Sequence, residues 1–227
     1  MQFAITLVDI NPRLVAAWKG AFEQYPEVQI VCDSILRQPA DAWVTPTNGQ
    51  GAMDGGLDSV MKCYFGAGIE ARVKREIRTG YGGRMPVGGA VCVTTEGLLT
   101  PRDGGRPRYL ISAATMGAAA EDVSHTHNAA WALDGALRAA WACCARDDEP
   151  SIRTIAVPGL GTSTGRLNYR ESARQMRAAY EVLRAAGDNA FLDVHATRSV
   201  LNSRLATCGA VPTAAPEPRK RRLFRIF

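Results

Sequence analysis

Residues 155–166 read IAVPGLGTSTGR, and two folds compete for them. Taken literally, Gly161-Thr162-Ser163-Thr164-Gly165 is the G-x-S-x-G of a serine hydrolase elbow. Such an elbow needs the serine on a sharp strand-to-helix turn, with the helix starting almost at once. Taken physically, an apolar strand that breaks into Gly, Thr and Ser offers backbone N–H groups and hydroxyls that can wrap a phosphate. Local spacing favours the phosphate loop. Pro158 and Gly159 end the strand well before Ser163, and five residues follow Ser163 before helical periodicity resumes at Tyr169. A triad in the order Ser, Asp, His can draw only on Asp193 and His195, two residues apart on one short element. A serine esterase using Ser163 is therefore the last of three readings.

Strands and helices alternate on both sides of this stretch. Phe3 to Val8, VQIVC, DAWV, AVCVTT, RYLISAAT and SIRTIAVPGL read as strands. Leu14, Trp18 and Phe22 recur at helical spacing behind Asn11, an N-cap candidate, and Pro12, suited to the first helical position. The apolar stripe Val60, Met61, Tyr64, Phe65, Ile69, Val73 and Ile77 predicts one helix over 58–78. Further helices are predicted over 128–144 and 169–186, and a last short strand over 190–194. This alternation predicts an α/β fold with helices on both faces of a mainly parallel sheet. Ligands of such sheets sit beyond the carboxyl ends of the strands. A second glycine-rich loop, TPTNGQGAMDGGLD at 45–58, leaves a strand there, with the composition of a backbone-lined anion site.

The 227 residues suit one domain plus a tail. With 46% hydrophobic and 22% charged residues, the chain is ordinary for a globular protein. No apolar run reaches the roughly 18–20 residues of a membrane helix. The N-terminus lacks the pattern of a signal peptide. The six cysteines form no CxxC and no metal-like spacing, as in a reduced cytoplasmic protein. The net charge of +5 is concentrated in PEPRKRRLFRIF at 216–227, which carries five Lys or Arg and one Glu. The expected division is a domain over 1–206 and a Pro/Ala linker with a basic, apolar tail over 207–227. That tail is a candidate for weak contact with nucleic acid or a partner, or a solvated end.

Four motifs in order, CDSI (32–35), VTPTN (44–48), MDGGLD (53–58) and AVPGLGTSTG (156–165), give the chain a resemblance. It is similar to the macrodomain family, modules that bind ADP-ribose, over roughly residues 25–190, and looks like a bacterial or phage-type branch. The resemblance implies a three-layer α/β/α fold around a central mixed, mostly parallel sheet. It also implies roles. Asp33 would accept from the adenine amino group with Ile35 at the ring, and Asn48 would hold the distal ribose. Gly55, Gly56 and Leu57 would pass along that ribose and the diphosphate. Gly159, Gly161, Thr162, Ser163, Thr164, Gly165 and Arg166 would wrap the diphosphate from the other side. Asp58 would help activate water at the anomeric carbon, as in hydrolytic members. Without the family, Asp33 is a turn or capping Asp, Asn48 a loop residue and Asp58 an N-cap.

This chain departs from the family pattern in places. Thr45 stands for the first Asn of the usual pair, with Pro46 after it. Asp54 opens the glycine run, and either repels phosphate or contacts substrate. Arg166 replaces the aromatic over the distal ribose, and Ser163 the last glycine of Gly-Thr-Gly. The implied function is ADP-ribose binding with hydrolysis of an ADP-ribosyl ester or glycosidic bond, or of O-acetyl-ADP-ribose. A non-catalytic ADP-ribose reader is the alternative. ADP-ribose or an ADP-ribosylated macromolecule is the expected partner, and no metal or other cofactor is called for. His125-Thr126-His127 lacks an acidic or Cys partner at useful spacing. Cys143-Cys144 and the four tryptophans read as packing residues.

Overall fold

A computed structural model describes residues 3–98, 104–145 and 152–207. The tail, including Cys208, lies outside the described residues, as does most of the acidic segment after Cys144. Nearly continuous buried runs in the central strands, Ala42–Asn48 and Tyr109–Met116, mark one sheet covered on both faces. The strands are β1 (Ala4–Val8), β2 (Gln29–Val31), β3 (Ala42–Asn48), β4 (Ala90–Thr94), β5 (Tyr109–Met116) and β6 (Thr154–Val157), in the order β2-β1-β6-β3-β5-β4. Every pairing is parallel except β4 with β5, at one edge. The mixed, mostly parallel sheet expected from the sequence is thus observed.

The helices divide between the faces. On one side, α1 (Pro12–Ala21), α4 (Asn128–Cys144), α5 (Tyr169–Ala186) and α7 (Val194–Thr207) bury Leu14, Trp18, Leu133, Met176, Leu183 and Leu201 against Ile5, Leu7, Val44 and Ile155. On the other, α2 (Gly56–Phe65) and α3 (Gly68–Tyr81) bury Met61, Phe65, Ile69, Val73 and Ile77 against Trp43, Leu110 and Ala156. These are the three layers. Asn11 caps α1 by accepting from Arg13 N at 3.0 Å, with Pro12 at the first position. Asn168 caps α5 the same way.

Two expectations are corrected. The single helix over 58–78 is a pair, because Gly66 adopts φ +80° and turns the chain between α2 and α3. Residues 190–194 are not a strand. A short helix, α6 (Asn189–Leu192), and then α7 occupy that region, and Thr197, Leu201 and Leu205 at four-residue spacing face the core. A buried ionic link docks α7. Asp134 on α4 accepts from Arg138 Nε (3.0 Å) and Arg198 Nε (2.9 Å), while Arg198 lies over the Trp131 ring.

Candidate functional site

Because β1, β6, β3 and β5 run parallel, their carboxyl ends open on one side of the sheet, and the loops leaving them enclose a cavity of about 720 Å³. It is lined by the exit of β1, the exit of β3 with the start of α2, the end of β5 and the loop after β6. Gly56 and Gly161 both have positive φ, +57° and +73°. A side chain at Gly56 would meet Thr164 Oγ1 at 3.5 Å, so the two glycine loops face each other closely. The loop after β6 is held in shape by its own backbone: Leu167 N donates to Gly161 O (2.9 Å) and Val123 N to Gly165 O (2.9 Å). Gly55 caps α2 without a side-chain hydrogen bond. The first turn of α2 therefore keeps N–H groups for an anion, aided by the positive end of the helix dipole.

Asp58 lies in that first turn, but it is not the cap, which is Gly55. The capping alternative is thereby replaced. The Asp58 side chain points back under the cavity and is buried, with Thr45 Oγ1 donating to its Oδ1 at 2.6 Å. Thr47 is on the same face of β3, two residues on. Burial pushes the Asp58 carboxyl up to about 7; the hydroxyls of Thr45 and Thr47 oppose this, and the charges of Asp54 and Glu70 add to it. Glu70 is itself held down at about 2, chiefly by Lys62 and then Lys74. It also accepts from Met53 N at 3.3 Å, which anchors the loop leading into α2. A carboxyl balanced near neutrality at the floor of a cleft is suited to moving a proton.

Asn48, Asp54, Gly55, Gly56, Leu57, Asp58, Gly159, Gly161, Thr162, Ser163, Thr164 and Gly165 all line this one cavity. The Asn48 amide is already engaged: its Oδ1 accepts from Gln50 N (3.0 Å) and Ala52 N (3.3 Å), and its Nδ2 donates to Ala52 O (3.1 Å). Asp33, Ile35 and Arg166 do not line it. Asp33 pairs with Arg37, Ile35 is buried in the core cluster with Trp43 and Phe65, and Arg166 meets Asp122 at 3.3 Å on the surface. No histidine lines the cavity, and Asp193 and His195, at the start of α7, are not brought to Ser163. Ser163 stands six residues past the end of β6, in the long loop before α5. Among the described residues no group of three His, Cys, Asp or Glu could hold a metal ion. No described helix is long and apolar enough to cross a membrane.

The sequence reading missed Asp9, Ile10, Asn11, Leu14 and Tyr169, all lining residues, and the Thr45–Asp58 bond. Asp9-Ile10-Asn11-Pro12 was legible as a helix start. The available signal was its position at the carboxyl end of a parallel strand, where ligands sit.

The Macro domain family model matches residues 44–176, more than half of the chain, and the chain belongs to that family. An uncharacterised protein of Aquifex aeolicus is 29% identical over 150 residues, covering 66% of this chain and 78% of the relative. The macrodomain of Mycobacterium tuberculosis DarG superimposes with TM-score 0.51 at 20% identity, covering 66% of this chain and 88% of that one. An Oceanobacillus iheyensis macrodomain variant gives TM-score 0.50 at 11% identity, over 78% of this chain and 89% of that one. At these identities the two structures speak for the fold.

Proposed function

We propose that the protein binds ADP-ribose in this cavity and hydrolyses an ADP-ribosyl ester or glycosidic bond. The observation that carries the reading is Asp58: a buried carboxyl, poised at about 7, on the floor of a cleft whose two walls are glycine-rich anion loops. In this reading the 161–165 loop and the first turn of α2 hold the diphosphate. The distal ribose lies over Asn48 and Asp58. The Asp58 carboxylate accepts a proton as water attacks the anomeric carbon, and the bond from that carbon to the leaving group breaks with its electron pair going to the leaving group. Most of the rate comes from positioning water against the held ribose. The leaving group is a carboxylate, of a protein side chain or of acetate, or a nucleic-acid base or end.

One observation favours the alternative of a reader that binds without chemistry. The Asn48 amide already bonds its own loop through both its oxygen and its nitrogen. The two readings separate in one experiment. Titration calorimetry with ADP-ribose tests the pocket, and mono-ADP-ribosylated protein and nucleic acid, given to native protein and Asp58→Ala, test the chemistry. Turnover lost in the variant with ADP-ribose binding retained supports the hydrolase. Binding with no turnover by native protein on any of these substrates leaves the reader. No heat with ADP-ribose at millimolar concentration removes both.

A further inference from the structure

α1 and α5 start side by side at the cavity wall, where Asn11 Nδ2 donates to the Tyr169 hydroxyl (2.8 Å). Both helices then cover the same face of the sheet, and a groove of about 380 Å³ lies between them on the outer surface. Its floor is small and apolar: Ala16, Ala17, Gly20 and Ala21 of α1. Its wall is cationic: Arg170, Arg174 and Arg177 of α5. Ala16 and Gly20 are exposed, and a side chain at Gly20 would meet nothing within 4 Å, so the floor is open there. Among the described residues no carboxylate lines the groove. Glu171 accepts from Arg174 Nε (2.8 Å) but is itself buried, and Glu181 stands 3.7 Å from Arg177 Nε. These two contacts hold the guanidinium groups in a row.

The row has a spacing. Four and then three residues separate the arginines, about 6 and 4.5 Å along the helix axis. We propose that the groove docks an acidic helix of a partner protein, with alanine-sized side chains on the α1 floor and Asp or Glu at the same four- and three-residue spacing against α5. The arginines set the sign of the partner's charge, and the floor sets its kind. A helix satisfies its own backbone hydrogen bonds, and small residues on the floor let a second helix approach to about 8 Å. A single-stranded nucleic acid asks instead for rings on which its bases stack, and none lines the groove among the described residues. Docking here requires nothing of the cavity's ligand.

Fluorescence anisotropy tests it, with a labelled alanine-rich helical peptide of about 20 residues that carries glutamates at this spacing. The comparisons are the same peptide with lysine for glutamate, one with the glutamates dispersed around the helix, and an oligodeoxythymidine. The proteins are native, Gly20→Trp, which fills the open floor from an exposed position, and Arg170→Glu, which reverses one charge in the first turn of α5, where a carboxylate suits the helix dipole. The expected result at low salt is binding of the acidic peptide at about 100 μM or tighter, weakened about fivefold or more in both variants and by dispersing the glutamates, with no binding of the lysine peptide. No binding to native protein at millimolar peptide overturns the proposal, as does an affinity within twofold of native in either variant. So does tighter binding of the oligonucleotide that is lost in Arg170→Glu, which gives the row to phosphates. A native protein that self-associates in sedimentation, and is monomeric as Gly20→Trp, gives the groove to a second copy and overturns it as well.

Discussion

Asp58→Asn should make the protein less sensitive to alkali and, on the proposed hydrolase reading, abolish turnover. The Asp58 carboxyl is raised from 3.8 to about 7 by burial. A rise of about three units corresponds to about 4 kcal/mol. The sign follows from proton counting. Between those values the folded state holds a proton that the unfolded chain has released, so unfolding free energy falls as pH rises. Stability from the neutral carboxyl is complete below about pH 4 and is lost by the time pH passes about 7. Asparagine has no such titration, and all other groups titrate alike in both proteins. The stability of Asp58→Asn minus that of native should therefore grow by about 3 kcal/mol from pH 5 to pH 8.5. Urea denaturation at the two pH values, followed by the fluorescence of the buried Trp18 and Trp43, measures it. A difference that is the same at both pH values refutes the raised carboxyl, and with it the reason for choosing Asp58 as the proton acceptor.

Other expected outcomes follow from the same contacts. Thr45→Val removes the 2.6 Å donor to Asp58; a hydrogen bond to a charged group contributes about 1.5–3 kcal/mol, so the midpoint of the pH–rate profile should rise by about one to two units, with Thr45→Ser restoring it. Gly159→Ala places a methyl group against Leu14, Thr162 and Asp9 where the anion loop starts, and calorimetry should show ADP-ribose affinity reduced about tenfold or more. Asp134→Ala leaves Arg138 and Arg198 without their carboxylate and should cost about 3 kcal/mol in urea unfolding, with α7 becoming the first site of proteolysis. Gly135→Ala drives a methyl group into the Gly88 carbonyl oxygen, and should lower Tm by several degrees, since overpacking costs about 1–3 kcal/mol.

Local chemistry made much of this protein legible in its sequence. Alternating apolar strands and amphipathic helices specify the layers, because each face that avoids water must find another to cover it. Asn11 before Pro12, and Asn168 before the 169–186 stripe, set helix starts that depend only on neighbours. The two glycine loops read as a candidate anion site because backbone freedom is a property of the residue itself, and both line the one cavity. What failed depended on distant contacts. The apolar stripe over 58–78 continues across Gly66 without recording that the chain turns there. Phe191, Leu192 and Val194 suit a strand taken alone, yet the segment packs as helix against α5, with Phe191 stacked on Trp141 of α4.

The site divides the same way. Its glycines and Asp58 could be listed from the motifs, but not the state of the carboxyl. That state is set first by burial, with Thr45 and Thr47 on a different element opposing it. Nor could sequence place Ile10 beside the anion loop, since residues near 10 and 160 meet only because the crossovers bring β1 against β6. Periodicity and residue type fix what each segment can do alone; which segments share a cavity, and how dry its floor becomes, is decided by packing across the whole sheet.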